Sequence, residues 1–385
     1  MLVDYQLKMP KHIIAGEHAL EELGNILSSK VKKVALFTDP VLIKLGLIDL
    51  PKEIILNKGI ELVVLSDIPA EPTYLQVQEI VDQFCRENAD FIVAIGGGSV
   101  MDVAKLASIS KRGSASIKEL LDYPLMAKKE VPSLMIPTTA GTGSEATPNS
   151  IVGVPEKDLK VGIVNPEMIA DYVILDGRMI KNLPKPIAAA TGVDALCHAI
   201  ECFTSTKANP FSDTFALEAL DLIMNNIVEA CTNSEALEAK NNMLLGSFYA
   251  GVAITTSGTT AVHALSYPLG GKYHIAHGVS NAILLMPVMR FNEPAIRERL
   301  ASAYDRVILG GNPTATLAEK SKVMLERLQS IVEILDIPTN LREFNVPKTD
   351  LEALVEAGMQ VQRLLVNNMR HVSADDARSI YLEVL

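Results

Sequence analysis

The stretch FIVAIGGGSVMDVAKLAS, residues 91–108, joins an apolar run to a helical pattern through three consecutive glycines. The run 91–97 is apolar throughout, as in a strand that is buried on both faces. Gly96 to Gly98 and Ser99 then stand where the strand ends and a helix begins. Glycine there lets the backbone adopt positive φ and approach a ligand closely, and free N–H groups at a helix N-terminus favour an anion. Because the spacing matches neither GxGxxG nor GxxxxGK[ST], the stretch predicts either a phosphate-binding loop or a tight turn with a serine cap.

Three more apolar runs surround this stretch, at residues 34–39, 62–68 and 134–139, and we interpret each as a strand. A helical pattern covers residues 74–88 between the second and third strands. Its apolar positions recur every three or four residues: Val77, Ile80, Val81, Phe84 and Cys85. A strand, helix, strand order predicts a parallel sheet.

The second half of the chain has a different pattern. Beyond a proline-marked stretch at 183–192, strand-like runs almost vanish and long Ala-, Leu- and Glu-rich segments follow, such as 213–230 and 234–253. We therefore predict two domains, a dinucleotide-binding α/β domain over 1–184 and an all-helical, metal- and substrate-binding domain over 185–385.

Charge and composition exclude several classes of partner. The chain carries 35 Lys and Arg against 46 Asp and Glu, a net charge of −11, so nucleic acid is not an expected partner. No apolar run approaches the roughly 20 residues of a membrane span, and the first residues are too polar for a signal peptide. The cysteines follow no metal or disulfide spacing, which favours buried thiols and a cytoplasmic location. They are Cys85, Cys197, Cys202 and Cys231.

A second glycine-rich loop, AGTGSEATPNS at 140–150, follows the strand at 134–139. Ligands of open α/β sheets bind outside the carboxyl ends of the strands, so two such loops at neighbouring strand ends predict a nucleotide with a pyrophosphate. Asp39 ends the first strand, where a carboxylate would accept hydrogen bonds from a ribose diol and repel a 2′-phosphate. This pattern favours NAD(H) over NADP(H), although an Asp after a strand is also a common turn residue.

Histidines cluster in the second half. His263, His274 and His277 lie within fifteen residues, and Asp194 and His198 are spaced four apart on a predicted helix, where they project together. Imidazoles and a carboxylate bind divalent cations, so these groups predict a metal site. Spacing alone leaves open which histidines are ligands, since one of the pair His274 and His277 could instead transfer protons. Fe(II), Zn(II), Mn(II) and Ni(II) all suit such a donor set.

Several motifs, in this order along the chain, resemble those of the iron-containing (group III) alcohol dehydrogenases. They are TDP at 38–40, GGGSVMD at 96–102, PTTAGTGSE at 137–145, GVDALCHAIE at 192–201, HALSYPLGGKYHIAHGVSNAILL at 263–285 and NNMRHVSADDARSIY near the C-terminus. The resemblance implies a Rossmann-like N-terminal domain of the dehydroquinate synthase-like superfamily, a helical C-terminal domain and an active site between them. It also implies a homodimer or a larger homo-oligomer.

Carried over position by position, the resemblance implies a complete set of site residues. The implied metal ligands are Asp194, His198, His263 and His277. The implied nucleotide contacts are Asp39, Gly97, Gly98, Ser99, Asp102, Thr138, Thr139 and Lys160. His274 is then left near the metal as the candidate proton relay. Two positions depart from the family: Tyr267 stands where many members have a histidine, and Glu71 replaces the Asn of an NPT motif. We expect Tyr267 and His274 to be the catalytic side chains.

The activity implied is hydride transfer between NAD(H) and a small primary alcohol or aldehyde, assisted by Fe2+ or alternatively Zn2+. NADP is the less favoured cofactor. Two alternatives are a dehydroquinate-synthase-like lyase, which uses the same NAD and metal pairing, and a non-catalytic NAD-binding or scaffolding protein.

Overall fold

The computed structural model describes residues 4–110, 115–157 and 159–385. Contacts divide the chain into two compact units. The first is Lys8–Asn182, and the second is Leu183–Leu385, to which the described N-terminal residues up to Leu7 also belong.

The first unit is built on a parallel sheet. Its described strands are β1 (His12–Ala15), β2 (Lys33–Phe37), β3 (Glu61–Leu65), β4 (Phe91–Gly96), β5 (Ser133–Pro137), β6 (Asn149–Val154), β7 (Leu159–Val164) and β8 (Tyr172–Leu175). Six of them form one sheet in the order β1-β8-β5-β4-β2-β3, with every neighbouring pair parallel. The other two, β6 and β7, form an antiparallel hairpin. The parallel sheet is the one predicted from the sequence.

Short helices connect these strands. They are α1 (Leu23–Ile26), α2 (Pro40–Lys44), α3 (Asp49–Asn57), α4 (Tyr74–Glu87), α5 (Gly98–Ser108) and α6 (Ile117–Asp122). Local chemistry sets the ends of α4: a Thr73–Gln76 capping box begins it, and Asn88 ends it in the left-handed region at φ 52°. Side chains from α1, α3 and the central strands pack into one core on one side of the sheet, including Leu23, Ile55 and Val93, each fully buried.

The four predicted strands are all present but shorter at their carboxyl ends. The residues that the sequence analysis added, such as Thr38 and Asp39 after β2, belong to the loops that follow. The sequence pattern did not predict β1, β8 or the β6–β7 hairpin. Of these, β1 and β8 have only four residues each, and β1 lies at the edge of the sheet with no fully buried residue. An apolar pattern that short carries little signal.

The strand order fixes where a ligand can bind. From β2 the chain moves outward to β3, then returns through α4 to β4, which pairs with the other edge of β2. The order therefore reverses between β2 and β4. Such a switch point opens a crevice at the carboxyl ends of the strands, and Asp39 and the triple-glycine loop follow the two strands that border it.

Apart from one isolated bridge between Ser205 and Asn368, the regular secondary structure of the second unit is helical in the described residues. It contains α7 (Lys185–Phe203), α8 (Pro210–Thr232), α9 (Leu237–Ser257), α10 (Ala261–Tyr273), α11 (His277–Val307), α12 (Leu317–Ile334), α13 (Leu351–Met359), α14 (Gln362–Leu365) and α15 (Ala374–Val384), with short 3₁₀ turns between them. Of the two segments predicted to be helical, 213–230 lies within α8. The segment 234–253 lies within α9 except for its first three residues. One close contact sets the packing of α11 on α7: a Cβ at Gly278 would lie 2.1 Å from the carbonyl oxygen of Ala190. Only glycine fits there.

Two sequence predictions concern the chemistry of the whole chain. None of the described helices is long and apolar enough to cross a membrane. All four cysteines are free of disulfides, but only Cys197 and Cys202 are buried. The thiols of Cys85 and Cys231 are half-buried, so the expectation of burial is wrong for these two.

Candidate metal centre and nucleotide loops

Three helices of the second unit bring four metal-binding side chains together. Asp194 and His198 come from α7, His263 from α10, and His277 is the first residue of α11. One ligand atom from each lies within 4.8 Å of the other three. Of the pair that spacing left open, His277 belongs to this group and His274 does not.

The donor atoms are spaced as ligands around one ion. The Nε2 atoms of His198, His263 and His277 lie 3.9, 3.6 and 3.5 Å from Asp194 Oδ1. Ligands at about 2.1 Å from a metal ion are separated by roughly 3.0 Å in an octahedron and 3.4 Å in a tetrahedron. The carboxylate and two of the imidazoles are buried, while 37% of the His277 side chain is exposed. The cluster is therefore closed on the α7 side and open beside His277.

Glu201 fixes the orientation of His263. Its Oε2 pairs with His263 Nδ1, which leaves Nε2 facing Asp194. Its Oε1 accepts hydrogen bonds from the backbone N–H of Thr260 and Val262 at 3.0 and 2.9 Å. A fully buried carboxylate thus caps the start of α10 and sets one imidazole for binding through Nε2.

Glu201 was not among the predicted site residues, although its spacing from Asp194 and His198 points to it. It lies seven residues after Asp194 and three after His198 on α7, which is the spacing of one helix face. A third acidic or imidazole group on that face was a reason to include it.

Burial and mutual charge shift the pKa values of the cluster. Burial alone would raise the pKa of Asp194, but the surrounding imidazoles, His198 and His277 foremost, hold it well below its usual range. Burial lowers the pKa of His198 to about 4. Burial would also lower that of His263, but the charges of Glu201 and Asp194 raise its pKa to about 10. The buried carboxylates therefore favour a positive charge among these imidazoles.

This donor set fits a divalent cation. Two buried carboxylates, Asp194 and Glu201, lie beside three imidazoles, and a divalent cation bound to the imidazole nitrogens would balance their negative charge. The amide of Asn281 also contacts the cluster, and its Oδ1 is buried without a hydrogen-bond partner among the described residues. A buried oxygen without a partner is unusual, and rotation of the amide would turn it toward the cluster.

The two predicted catalytic side chains lie on α10 and at its end. The Tyr267 ring lies 5.9 Å from the His277 ring, next to the open part of the cluster, and its hydroxyl accepts a hydrogen bond from Arg363 at 3.4 Å. His274 follows the last residue of α10 in the left-handed region, at φ 54°, and is exposed. Tyr267 thus lies beside the candidate ligand His277, whereas His274 is exposed to solvent.

In the first unit, the triple-glycine loop leads directly into α5. Gly97 is the N-cap of that helix, and no described side chain caps it. None of the three glycines has positive φ, so that part of the sequence reasoning is wrong. Close approach is the actual constraint, since a Cβ at Gly98 would lie 3.0 Å from Thr142 of the second loop. Thr138 and Thr139 follow β5, and the Thr138 N–H donates to the Gly96 carbonyl at 3.0 Å.

Asp102 has partners within the protein. Its carboxylate accepts hydrogen bonds from the Ser144 hydroxyl and from Ile151 N–H at 2.8 Å, and it pairs with Lys105 at 2.9 Å. Lys105 in turn donates to the carbonyls of Ser144 and Asn149. This buried pair ties α5 to the second glycine-rich loop and so holds the two loops together.

Lys160 and Glu71 form an ion pair at 2.6 Å. Glu71 lies in the left-handed region at φ 54°, a conformation that suits the Asn of the family motif better than Glu. Its N–H donates to the Ser99 hydroxyl oxygen at 3.1 Å, which places the pair beside the triple-glycine loop.

Asp39 is the N-cap of α2. Its Oδ1 accepts hydrogen bonds from the N–H groups of Val41 and Leu42 at 2.8 and 3.0 Å. A cleft of about 480 Å³ adjoins it. The cleft is lined by Pro40, Ser66, Asp67, Ile68, Pro69, Gln76, Glu79, Ile80 and Gln83. The charged groups among these described lining residues are both acidic.

Two family models together match almost all of the chain. The model described as iron-containing alcohol dehydrogenase matches residues 10–177, and the model of the C-terminal part of the Fe-containing alcohol dehydrogenase family matches residues 188–385. The chain therefore belongs to the iron-containing alcohol dehydrogenase family, as its motifs predicted.

Individual relatives agree over nearly the full length. Long-chain-alcohol dehydrogenase 1 of Geobacillus thermodenitrificans is 36% identical over 372 residues, 95% of this chain and 93% of that protein. The NAD-dependent methanol dehydrogenase of Bacillus methanolicus is 33% identical over 353 residues, 90% of this chain and 91% of that protein. A crystal structure of 1,3-propanediol oxidoreductase matches with a TM-score of 0.93 and 28% identity, over 100% of both chains.

These findings confirm the predicted fold class and the predicted oxidoreductase class. The chain is an alcohol dehydrogenase or aldehyde reductase of a family that uses NAD(H) and Fe2+.

Proposed function

We propose that the chain interconverts a small primary alcohol and its aldehyde with NAD(H), at a divalent ion held by Asp194, His198, His263 and His277. The convergence of these four donors within 4.8 Å carries the proposal. The ion, when bound, supplies Lewis-acid polarisation of the substrate oxygen, which is worth several kcal/mol. We assign residues 1–184 to nucleotide binding and 185–385 to metal and substrate binding.

The protein's own groups prepare that site. Glu201 holds His263 in the orientation that presents Nε2, and burial of Asp194 and His198 excludes water from one side of the donor set. The exposed part of His277 and the neighbouring Tyr267 mark the side from which a substrate enters. The phenol of Tyr267 can orient a substrate oxygen through a hydrogen bond.

His274 is the proposed proton relay. It is exposed and lies three positions before His277, so it can exchange protons with solvent close to the site. The expected signature of this role is a change in the pH profile of turnover in His274→Ala at unchanged metal content. An unchanged profile would assign His274 to helix termination alone.

The nucleotide part of the proposal rests on the sheet. The uncapped start of α5 offers N–H groups to a pyrophosphate, and the cleft beside Asp39 has the size of a nucleoside subsite. Acidic groups at Asp39, Asp67 and Glu79 disfavour a 2′-phosphate, so we propose NAD(H) rather than NADP(H) as the cofactor.

Asp39→Asn tests this cofactor preference. Asn keeps the helix cap and removes the charge, so the ratio of kcat/KM for NADPH to that for NADH should rise about tenfold, or about 1.4 kcal/mol. Steady-state rates with both cofactors measure it, and thermal melting checks that the fold is retained. Glu61→Gln, an exposed substitution at the start of β3, is the matched control and should leave the ratio unchanged. If Asp39→Asn also left the ratio unchanged, Asp39 would be a helix cap only.

A substrate panel tests the activity itself. NADH absorbance at 340 nm is followed with simple aldehydes of increasing chain length, 2-hydroxyaldehydes, semialdehydes, and sulfonated or phosphonated aldehydes. We expect NADH oxidation that chelation abolishes and Fe2+ restores. No oxidation across the panel by the iron-loaded protein would overturn the proposal.

We also propose a homo-oligomeric state and a cytoplasmic location. The first follows from the family and the second from four cysteines without disulfides.

A further inference from the structure

Asn281 lies in the middle of the metal cluster, although neither the motifs nor the spacing assigned it a role. It is the fifth residue of α11 and is fully buried. Its Nδ2 lies 2.7 Å from Asp194 Oδ1, 3.2 Å from His263 Nε2 and 3.3 Å from His277 Nε2. One amide therefore contacts three of the four candidate ligand atoms.

These distances are those of another ligand position. Neighbouring ligands of one ion are about 3.0 to 3.4 Å apart, and the Asn281 amide nitrogen lies at that spacing from two imidazoles and somewhat closer to the carboxylate. A nitrogen at the ion's own position would be only about 2.1 Å from each. The end of the Asn281 side chain thus occupies a further vertex of the same coordination polyhedron.

The chemistry of the amide decides which atom belongs at that vertex. The Asn281 N–H group can face the Asp194 carboxylate and the imidazole nitrogens only while no metal ion is bound to them. The amide oxygen is meanwhile buried and has no hydrogen-bond partner among the described residues. Rotation of the amide by about 180° exchanges the two atoms within the same space, so a cation would attract the oxygen. The orphaned oxygen and the crowded nitrogen are then both explained.

We propose that Asn281 Oδ1 is a fifth protein ligand of the metal ion, and that this oxygen biases the site toward Fe(II) over Zn(II). The inference rests on the metal site of the proposed function. Zinc prefers four ligands, whereas Fe(II) accepts five or six and suits mixed nitrogen and oxygen donors. An additional neutral oxygen therefore favours the iron ion.

Two substitutions separate a ligand from a hydrogen-bond donor. Asn281→Asp keeps an oxygen at the vertex and removes the N–H, whereas Asn281→Leu has a similar volume and no donor atom. As a ligand, Asn281 predicts retained or tighter Fe2+ binding in Asn281→Asp, and binding about 10- to 100-fold weaker in Asn281→Leu. Equilibrium dialysis against equimolar Fe2+ and Zn2+ under anaerobic conditions should show a lower iron-to-zinc ratio in Asn281→Leu.

Co(II) substitution supplies a second readout that a structural role would not change. Loss of one ligand lowers the coordination number, so the visible absorption of Co(II) should intensify in Asn281→Leu and remain weak in Asn281→Asp. Asn292→Leu is the matched control, because Asn292 is another buried asparagine of α11 and pairs reciprocally with Asn368. It should leave the Co(II) spectrum and the iron-to-zinc ratio unchanged.

Different results would overturn the Asn281 inference and the proposed metal site on which it rests. Equal loss of Fe2+ affinity in both Asn281 variants would show that Asn281 acts only by donating to Asp194. An unchanged Co(II) spectrum in Asn281→Leu would also overturn the inference. If the wild-type protein bound neither ion, the proposed metal site itself would be wrong.

Discussion

Asp194→Asn is expected to eliminate stoichiometric metal binding and to lower turnover by roughly 1,000-fold. The substitution keeps the volume of the side chain but removes the only anionic ligand, which lies within 3.9 Å of the Nε2 atoms of three histidines. Without the ion, Lewis-acid assistance worth several kcal/mol is lost, and each 1.36 kcal/mol is a factor of ten in rate. Metal analysis of the purified protein and steady-state kinetics with a substrate from the panel measure the two effects.

His371→Ala is the matched control, since His371 is an exposed histidine of the same unit that lies outside the candidate metal cluster. It should retain metal and turnover. Turnover of Asp194→Asn within tenfold of wild type would contradict the assignment of Asp194 as a ligand, provided that the variant melts at a similar temperature.

Glu201→Gln should weaken metal binding by about 10- to 100-fold while leaving all four proposed ligands in place. Gln can still accept hydrogen bonds at the start of α10, but its NH₂ group cannot accept the His263 Nδ1 proton. The imidazole then loses the partner that orients Nε2 and makes it a better ligand. Competition with a chelator of known affinity measures the loss.

Comparing Fe2+ affinity with turnover at saturating Fe2+ distinguishes a role of Glu201 in orienting His263 from general damage to the fold. At saturating Fe2+, Glu201→Gln should regain most of its turnover, whereas Asp194→Asn should not. Glu356→Gln, on the exposed face of α13, is the matched control and should change neither quantity. Unaltered Fe2+ affinity in Glu201→Gln would show that Glu201 serves only to cap α10.

The parallel sheet could be predicted from the sequence because its central strands are buried on both faces. In β4 every residue is buried, so its pattern is a continuous apolar run between clear boundaries. The strands β1 and β8 are only four residues long, and the register that pairs these strands appears only in three dimensions. For the same reason the switch point between β2 and β4 could not be located from the sequence, although the loops that border it could.

The candidate metal cluster could be predicted from the sequence because Asp194 and His198 share a helix face and the histidines cluster. Choosing His277 over His274 required the family resemblance or the structure, since both lie near the end of α10. Glu201 and Asn281 were missed because each acts through contacts between helices. Glu201 contacts the start of α10, and Asn281 on α11 contacts Asp194 on α7. Spacing on α7 places Glu201 on the face of Asp194 and His198, but no spacing within one segment reports its contact with α10 or the contact of Asn281 with α7.

The structure departs from the sequence prediction at several of the residues that were expected to contact the nucleotide. Spacing suggested glycines with positive φ, but the structure uses them for close approach. Asp102 and Lys160 were both expected at the nucleotide, yet each has an ionic partner inside the protein, Lys105 and Glu71. Their role at the nucleotide stays a prediction, since either ion pair can position the loops without touching a ligand.

Anaerobic titration of the metal-free protein with Fe2+ tests the central claim most directly, with bound iron and NADH-dependent aldehyde reduction measured on the same samples. We predict that turnover rises in proportion to bound iron and stops rising at about one ion per chain, and that Asp194→Asn shows neither effect. Full turnover of the metal-free protein, or one tightly bound ion per chain in Asp194→Asn, would contradict the assignment of this cluster as the catalytic metal site.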